Sequence, residues 1–127
     1  MEKKYDVLIV GSGVGGLYTS LSLPENLSVL MLSKKSDTLS NSSLAQGGVA
    51  AVLSFENDSF DLHYEDTMIA GQHKNDPAAV RTLVTEGPDD VRKIMSYGVD
   101  FDKNPDGTIQ KTLEGGHCRR RIVHHKD

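Results

Sequence analysis

A glycine-rich turn near the N-terminus constrains the fold of this 127-residue chain more than any other feature. The turn, residues 11–16, has the sequence GSGVGG and follows an aliphatic run at residues 5–10. Apolar residues at helical spacing continue to Leu23, Pro24 then blocks further helix, and residues 28–32 form a second aliphatic run. This order predicts an α/β fold, in which a right-handed βαβ unit has parallel strands buried on both faces.

The glycines of the turn have the spacing G-x-G-x-x-G, at Gly11, Gly13 and Gly16. In dinucleotide sites the first glycine permits the tight turn, the second lets the backbone approach a pyrophosphate, and the third lets helix and strand pack closely. The helix N-terminus adds free N–H groups and the positive end of the helix dipole. The turn therefore predicts a dinucleotide site, and the alternative is a glycine-rich turn that binds no ligand.

The end of the second predicted strand lacks the acidic residue that holds a ribose hydroxyl in many dinucleotide sites. The sequence at this point is Ser33-Lys34-Lys35. Two lysines suit the 2'-phosphate of NADP, and a serine hydroxyl suits the ribose contact of a flavin site. The remaining alternative is a solvated strand end, because lysine is mostly exposed. Composition alone leaves these alternatives open.

Capping residues predict the boundaries of a second helix. Asp58 or Ser59 is a suitable N-cap, the helical pattern runs to about Ala70, and Gly71 is placed to end the helix. The preceding residues, 34–48, are rich in Ser, Asn, Thr and Gly, which indicates mostly loop.

A third helix is predicted to begin after Asp76, because Pro77 follows it at the first helical position. The glycine-proline pair at residues 87–88 is expected to break or kink this helix, and Gly98 is placed to end it. Residues 104–107 have the sequence NPDG, which predicts a turn between short strands.

Composition excludes several classes of protein. Hydrophobic residues make up 37% of the chain and charged residues 25%, as in soluble globular chains. No apolar run approaches the ~20 residues of a membrane span, and no secretory signal is present. The single cysteine, Cys118, fits a reducing compartment, so we expect a cytoplasmic location. The net charge of −4 gives no overall attraction to nucleic acid or to a membrane surface.

A second glycine-hinged loop, residues 40–51, contains the sequence AQGG at positions 45–48. It resembles the second FAD-binding segment of the flavoprotein family of fumarate reductases, succinate dehydrogenases and L-aspartate oxidases. Together with residues 7–16, 32–34 and 114–122, the resemblance covers essentially the whole chain. It implies a Rossmann-like FAD-binding fold with an incomplete parallel sheet. Residues 1–127 would then be the N-terminal part of the FAD-binding domain, without the capping and C-terminal domains.

The same resemblance implies which residues contact FAD. The pyrophosphate would be held by Gly11, Ser12, Gly13, Val14, Gly15 and Gly16, and the adenosine side by Ser33 and Lys34. The isoalloxazine side would be held by Asn41, Ser42, Ser43, Leu44, Ala45, Gln46, Gly47 and Gly48.

Two positions resemble the L-aspartate oxidases more than the other members of the family. Asn41 stands where the respiratory enzymes have a histidine bonded covalently to the flavin, and a carboxamide cannot make that bond. The resemblance therefore implies non-covalent FAD. Glu114, before Gly115-Gly116-His117, has no counterpart in the succinate enzymes, and its carboxylate can pair with the amino group of aspartate. The alternative for Glu114 is a surface glutamate before a turn.

The implied activity is FAD-dependent oxidation of L-aspartate to iminoaspartate, with oxygen or fumarate as electron acceptor. This reaction is the first step of NAD biosynthesis through quinolinate, which makes quinolinate synthase a possible pathway partner. The alternatives are a fumarate reductase or succinate dehydrogenase flavoprotein and a non-enzymatic NADP-binding module. We expect the 127 residues alone to be inactive and to bind FAD poorly, because an incomplete parallel sheet leaves its faces uncovered.

The C-terminal residues are locally basic, with three arginines at 119–121. A nucleic-acid patch is disfavoured because no aromatic residues interleave with them. The resemblance places this region beside the substrate and flavin, with arginine side chains available for carboxylates. No metal site is expected, because the histidines lack spaced cysteine partners; they are His63, His73, His117, His124 and His125. Cys118 is interpreted as a passive small residue.

Overall fold

The computed structural model describes residues 3–34, 42, 45 and 47–126. The chain divides into two compact units, the first ending at Gln46 and the second beginning at Gly47. The helices and strands, in chain order, are β1 (Val7–Val10), α1 (Val14–Ser22), β2 (Val29–Leu32), β3 (Val49–Ala50), α2 (Phe60–Ala70), α3 (Pro77–Ser96) and β4 (Ile122–Val123).

The first unit contains the predicted βαβ arrangement. Strands β1 and β2 pair in parallel, with Val7 opposite Val29 and Val10 opposite Leu32. The Gly11 N–H continues this ladder by donating to the Leu32 carbonyl at 2.8 Å. Helix α1 connects the two strands and contacts β1. The α/β fold with a parallel sheet is therefore confirmed.

The expectation that both faces of these strands are buried is wrong for the described residues. Ile9 is buried, but Leu8 is 57% exposed and Val10 is 79% exposed. Leu32 at the end of β2 is 47% exposed. Among the described residues this sheet has only two strands, and these side chains are exposed. The aliphatic pattern suits the interior of a wider sheet.

In the second unit, α2 packs against α3, and β3 pairs with β4 in an antiparallel ladder. One cluster of buried side chains lies between α3 and the strands and consists of Ala51, Val91, Phe101 and Val123. The other lies between the two helices and consists of Met68, Val80 and Val84. None of the described helices has both the length and the apolar character needed to cross a membrane.

Both predicted N-caps are confirmed. The Ser59 hydroxyl accepts a hydrogen bond from the Leu62 N–H at 3.1 Å at the start of α2. The Asp76 carboxylate accepts from the Ala78 N–H at 2.8 Å at the start of α3. Each cap satisfies a backbone donor that the first helical turn leaves without a partner. The predicted end of α2 is also confirmed, since Gly71 is its C-cap.

Helix α3 is continuous, so the predicted break at residues 87–88 does not occur. A proline inside a helix removes one hydrogen bond and costs about 3 kcal/mol. Here Pro88 is buried on the same side of the helix as Val84 and Val91. Burial of this apolar face offsets the cost of the proline. Gly98 follows the helix with a φ of 103°.

The predicted turn at residues 104–107 is confirmed. The Asn104 N–H donates to the Thr108 carbonyl at 2.8 Å, and Gly107 has a φ of 85°. The flanking residues, Lys103 and Ile109, form an isolated antiparallel bridge in place of the short strands expected there.

Candidate functional site

The glycine turn has the geometry that its spacing predicts at two positions. Gly11 has a φ of 108°, a left-handed conformation that favours glycine, and turns the chain from β1 into α1. A side chain at Gly16 would collide with the Gly11 carbonyl oxygen and lie 3.3 Å from the Ile9 side chain. The absence of a side chain at Gly16 therefore lets α1 pack directly against β1.

The N-terminus of α1 offers unused hydrogen-bond donors. The first helical bond runs from the Leu17 N–H to the Gly13 carbonyl at 3.0 Å. The Val14 N–H donates to the Ser42 hydroxyl at 3.0 Å. The N–H groups of Gly15 and Gly16 have no acceptor within the part of the chain that the structure describes. Two donors and the positive end of the helix dipole are thus available to an anion such as a diphosphate.

Two serines connect the glycine turn to the end of β2. The Ser12 hydroxyl is buried and lies 2.8 Å from the Ser33 hydroxyl. Ser33 and Lys34 are exposed. Because a hydroxyl has one donor and two acceptor positions, Ser33 keeps capacity for a further hydrogen bond while it holds the turn. Lys35 lies outside the described residues.

The second predicted FAD-binding segment is described only in part. Its residues outside the described ranges are Asn41, Ser43, Leu44 and Gln46. Ala45 and Gly47 are exposed. A side chain at Gly48 would collide with Ile122 and lie 2.8 Å from the His124 Nε2 atom. The backbone at Gly48 therefore packs directly against the His124 imidazole.

Glu114 is exposed, and one of its carboxylate oxygens is held by hydrogen bonds. Its Oε1 atom lies 2.7 Å from His124 Nε2 and accepts from the Thr112 hydroxyl at 3.3 Å. Together with Asp102 and Gln110, these three residues line a cavity of about 270 Å³. Glu114 is thus a surface glutamate, as in the alternative interpretation, and one of its carboxylate oxygens is hydrogen-bonded. Nothing in the sequence predicts His124 as a partner of Glu114, because the contact depends on the loop between them.

Arg121 is fully buried and is paired inside the protein. Its guanidinium donates to both Asp58 carboxylate oxygens, at 2.7 and 2.8 Å, and to Asp66 Oδ2 at 2.5 Å. The expectation that Arg121 is available for a substrate carboxylate is therefore wrong, because a buried guanidinium needs carboxylate partners. Asp58 lies just before the N-cap of α2 and Asp66 lies within the helix, so no helical spacing relates them in the sequence. The shared partner of the two carboxylates therefore had no signal in the sequence.

The buried ion pairs shift the pKa values of their members. Burial alone raises the pKa of Asp58 and of Asp66, but hydrogen bonds outweigh it, from Arg121 to Asp58 and from the Cys118 N–H and Arg121 to Asp66. Both carboxyl pKa values are therefore lowered. Burial lowers the pKa of His63, and the charges of Arg121 and His117 act in the same direction. Within the described residues, the buried His63 Nδ1 atom has no hydrogen-bond partner.

We expect the free energy of unfolding to fall as the pH drops below the ordinary His63 pKa of 6.5. The folded pKa of His63 is below that value, so the unfolded chain binds the proton first and is favoured by acid. The slope contributed by His63 is at most about 1.4 kcal/mol per pH unit. The pKa values of Asp58 and Asp66 are lowered as well, but from an ordinary value of 3.8, so their contribution to stability is lost only below that pH. Urea unfolding at pH 7, 6 and 5 measures the loss of stability that is assigned to His63.

His63→Gln is expected to flatten this dependence between pH 7 and 5, because the titrating group is gone. His125→Gln is the matched control, since His125 is exposed, and it should keep the slope of the unaltered chain. An unaltered chain whose stability is constant from pH 7 to 5 would contradict the assignment to His63.

A comparison with protein families decides what kind of domain these elements form. The family model described as FAD binding domain matches residues 6–127. The chain belongs to the FAD binding domain family. In this member of the family, the glycine turn and the first turn of α1 lie within the matched residues.

Relatives of this FAD-binding chain include L-aspartate oxidases. It is 49% identical to L-aspartate oxidase of Clostridium perfringens over 127 residues, which are all of this chain and 28% of the relative. It is 42% identical to the chloroplastic L-aspartate oxidase of Arabidopsis thaliana over 125 residues, 98% of this chain and 19% of the relative. The chain thus spans less than a third of the length of either relative.

A solved structure with a similar fold is the Mycobacterium smegmatis Sdh1 complex in the apo form. The TM-score is 0.84 at 33% sequence identity, covering 95% of this chain and 21% of the solved one. This sequence identity of 33% is lower than the 49% and 42% to the two L-aspartate oxidases.

Proposed function

We propose that this chain is the N-terminal part of the FAD-binding domain of an L-aspartate oxidase. The enzyme would oxidise L-aspartate to iminoaspartate, with oxygen or fumarate as the electron acceptor. The observation that carries the proposal is the 49% identity to the Clostridium perfringens L-aspartate oxidase over every residue of this chain. The 33% identity to the Sdh1 complex is consistent with a more distant relation.

The glycine turn fits the diphosphate of FAD. The N–H groups of Gly15 and Gly16 would donate to phosphate oxygens, and the N-terminus of α1 would stabilise their negative charge. Gly13 presents no side chain that would keep a phosphate from the backbone. When bound, FAD accepts a hydride from the substrate carbon, and the protein orients the substrate.

The remaining FAD contacts are assigned by position in the sequence. Ser33 and Lys34 would contact the adenosine side, and the segment at residues 41–48 the isoalloxazine side. The role of Ser33 is supported by its position, hydrogen-bonded to the glycine turn and exposed on its other side. The proposed flavin is non-covalent, because the Asn41 carboxamide cannot form the bond that a histidine makes.

Glu114 would bind the amino group that distinguishes aspartate from succinate. One of its carboxylate oxygens is engaged by His124 and Thr112. The other oxygen, Oε2, has no donor among the residues that the structure describes. A carboxylate with one anchored oxygen and one unused oxygen is suited to bind an ammonium group.

The proposal also concerns the cellular setting of the reaction. Iminoaspartate would pass to quinolinate synthase in the biosynthesis of NAD. We include a cytoplasmic location, which the free and exposed Cys118 supports, because thiols persist in reducing compartments.

The proposal is tested with a chimera, in which this chain replaces the matching residues of the Clostridium perfringens L-aspartate oxidase. We expect the chimera to oxidise L-aspartate and to turn over succinate at least about tenfold more slowly, because succinate has no ammonium group for Glu114. The unmodified Clostridium enzyme is the positive control. The isolated chain is the negative control, since we expect it to produce no peroxide from aspartate.

The same preparation tests the mode of flavin binding. Acid precipitation should release the flavin into the supernatant, because no covalent bond retains it. A chimera that contains FAD but oxidises succinate faster than aspartate would overturn the proposal in favour of a succinate dehydrogenase or fumarate reductase. Flavin that remains in the acid precipitate would overturn the non-covalent assignment.

A further inference from the structure

We propose that His124 is a positioning residue that fixes the Glu114 carboxylate for an incoming primary ammonium group. The proposal rests on the proposed function, because it assigns a second residue to the amino-group contact. No resemblance or motif in the sequence assigned a role to His124. The evidence is the geometry around its imidazole.

The hydrogen bonds around His124 have one consistent direction. Its Nε2 atom lies 2.7 Å from Glu114 Oε1 and 3.0 Å from the Thr112 hydroxyl. A carboxylate can only accept, so the Nε2 atom carries the proton and donates it to Glu114. Thr112 donates to the same carboxylate oxygen at 3.3 Å. Two donors thus converge on Oε1 and fix the orientation of the carboxylate.

His124 is itself held firmly by its surroundings. Its side chain is only 16% exposed. The backbone at Gly48 packs directly against its ring, and its carbonyl accepts from the Asp102 N–H at 2.9 Å. It directly follows the buried strand β4. A donor with few accessible conformations places its acceptor more accurately than a flexible surface side chain does.

The charges around the cavity favour a cation. Its lining includes the carboxylates of Glu114 and Asp102, and no lysine or arginine belongs to the lining among the described residues. The lining therefore presents two carboxylates to a primary ammonium group, and Glu114 Oε2 accepts from no donor among the described residues.

The chimera tests this role through substrate selectivity. His124→Phe removes the donor but keeps a planar ring against Gly48, and we expect the KM for L-aspartate to rise about tenfold, the effect of losing one charge-assisted hydrogen bond. The kcat for aspartate and the slow turnover of succinate should change far less, because neither depends on orienting Glu114 toward an ammonium group. His124→Gln keeps an N–H donor and should recover most of the loss.

His125→Phe is the matched control, because His125 is adjacent and exposed. Its KM for aspartate should equal that of the unaltered chimera. An unchanged KM in His124→Phe, or equal losses on aspartate and succinate, would overturn the positioning role. Those outcomes leave the proposed function intact whenever the unaltered chimera oxidises aspartate.

The hydrogen-bonded pair is tested separately in the full 127-residue chain. Thermal unfolding of His124→Phe, Glu114→Gln and the double variant forms a mutant cycle. We expect the double variant to lose less stability than the two single variants lose in sum, because each single substitution removes the same interaction. Additive losses would overturn the pairing. A non-additive cycle alongside a chimera that does not oxidise aspartate would overturn the proposed function instead.

Discussion

Replacing Arg121 with alanine is expected to lower the free energy of unfolding of the chain by about 3–5 kcal/mol, as for other buried ion pairs that lose one partner. The substitution removes the donor that Asp58 and Asp66 share and leaves two largely buried carboxylates without a counter-charge. It also separates the segment before β4 from α2, because these ion pairs connect them. Urea unfolding at pH 7 measures the loss.

Arg120→Ala is the control for Arg121→Ala. Arg120 is exposed, and its loss should change stability by less than about 0.5 kcal/mol. Adding Asp58→Asn and Asp66→Asn to Arg121→Ala should recover part of the loss, because the uncompensated charges are then removed. Equal effects of the Arg120 and Arg121 substitutions would show that the buried pairs contribute little.

Gly16→Ala is expected to weaken FAD binding by the chimera by about tenfold to a hundredfold, which corresponds to the cost of overpacking. The new methyl group would collide with the Gly11 carbonyl oxygen, which is backbone and cannot rotate away. Either α1 moves from β1 or the glycine turn changes its conformation. Both changes displace the N–H groups that we assign to the diphosphate. Flavin fluorescence titration measures the affinity.

Gly87→Ala is the matched control, because Gly87 also lies within a helix but has open space where its side chain would be. This substitution should leave FAD affinity unchanged and raise stability by about 0.5–1 kcal/mol, since alanine has less conformational freedom to lose. Unchanged flavin affinity in Gly16→Ala would contradict the assignment of the glycine turn to the diphosphate.

Features of the fold that depend on neighbouring residues could be predicted from the sequence. The caps at Ser59 and Asp76 each follow from one side chain that accepts from N–H groups two or three residues away. The βαβ unit follows from periodicity and from the glycine turn. Each of these signals lies within a few residues of the structure that it determines.

Features that depend on distant partners were missed or misjudged. Strands β3 and β4 contain only two residues each and pair across more than seventy positions, so no local pattern predicts them. Arg121 looks like part of a basic surface run, but its partners lie 55 and 63 residues away. The contact between Glu114 and His124 joins residues ten positions apart, outside any helix, and only the fold reveals it.

The burial of the β1 and β2 side chains was predicted wrongly for a different reason. The aliphatic residues of β1 and β2 predict a strand covered on both faces, yet Leu8 and Val10 are exposed among the described residues. An aliphatic run of this kind is typical of a strand in the interior of a wider sheet. Exposed strand faces are consistent with our expectation that the isolated chain binds FAD poorly.

Anaerobic reduction of the flavin in the chimera tests the central claim most directly. L-aspartate is added without oxygen or fumarate, and the flavin absorbance is followed with time. We predict that L-aspartate bleaches the flavin, whereas succinate at the same concentration does so at least about tenfold more slowly. A flavin that stays oxidised with L-aspartate, or is reduced faster by succinate, would contradict the assignment of this chain to an L-aspartate oxidase.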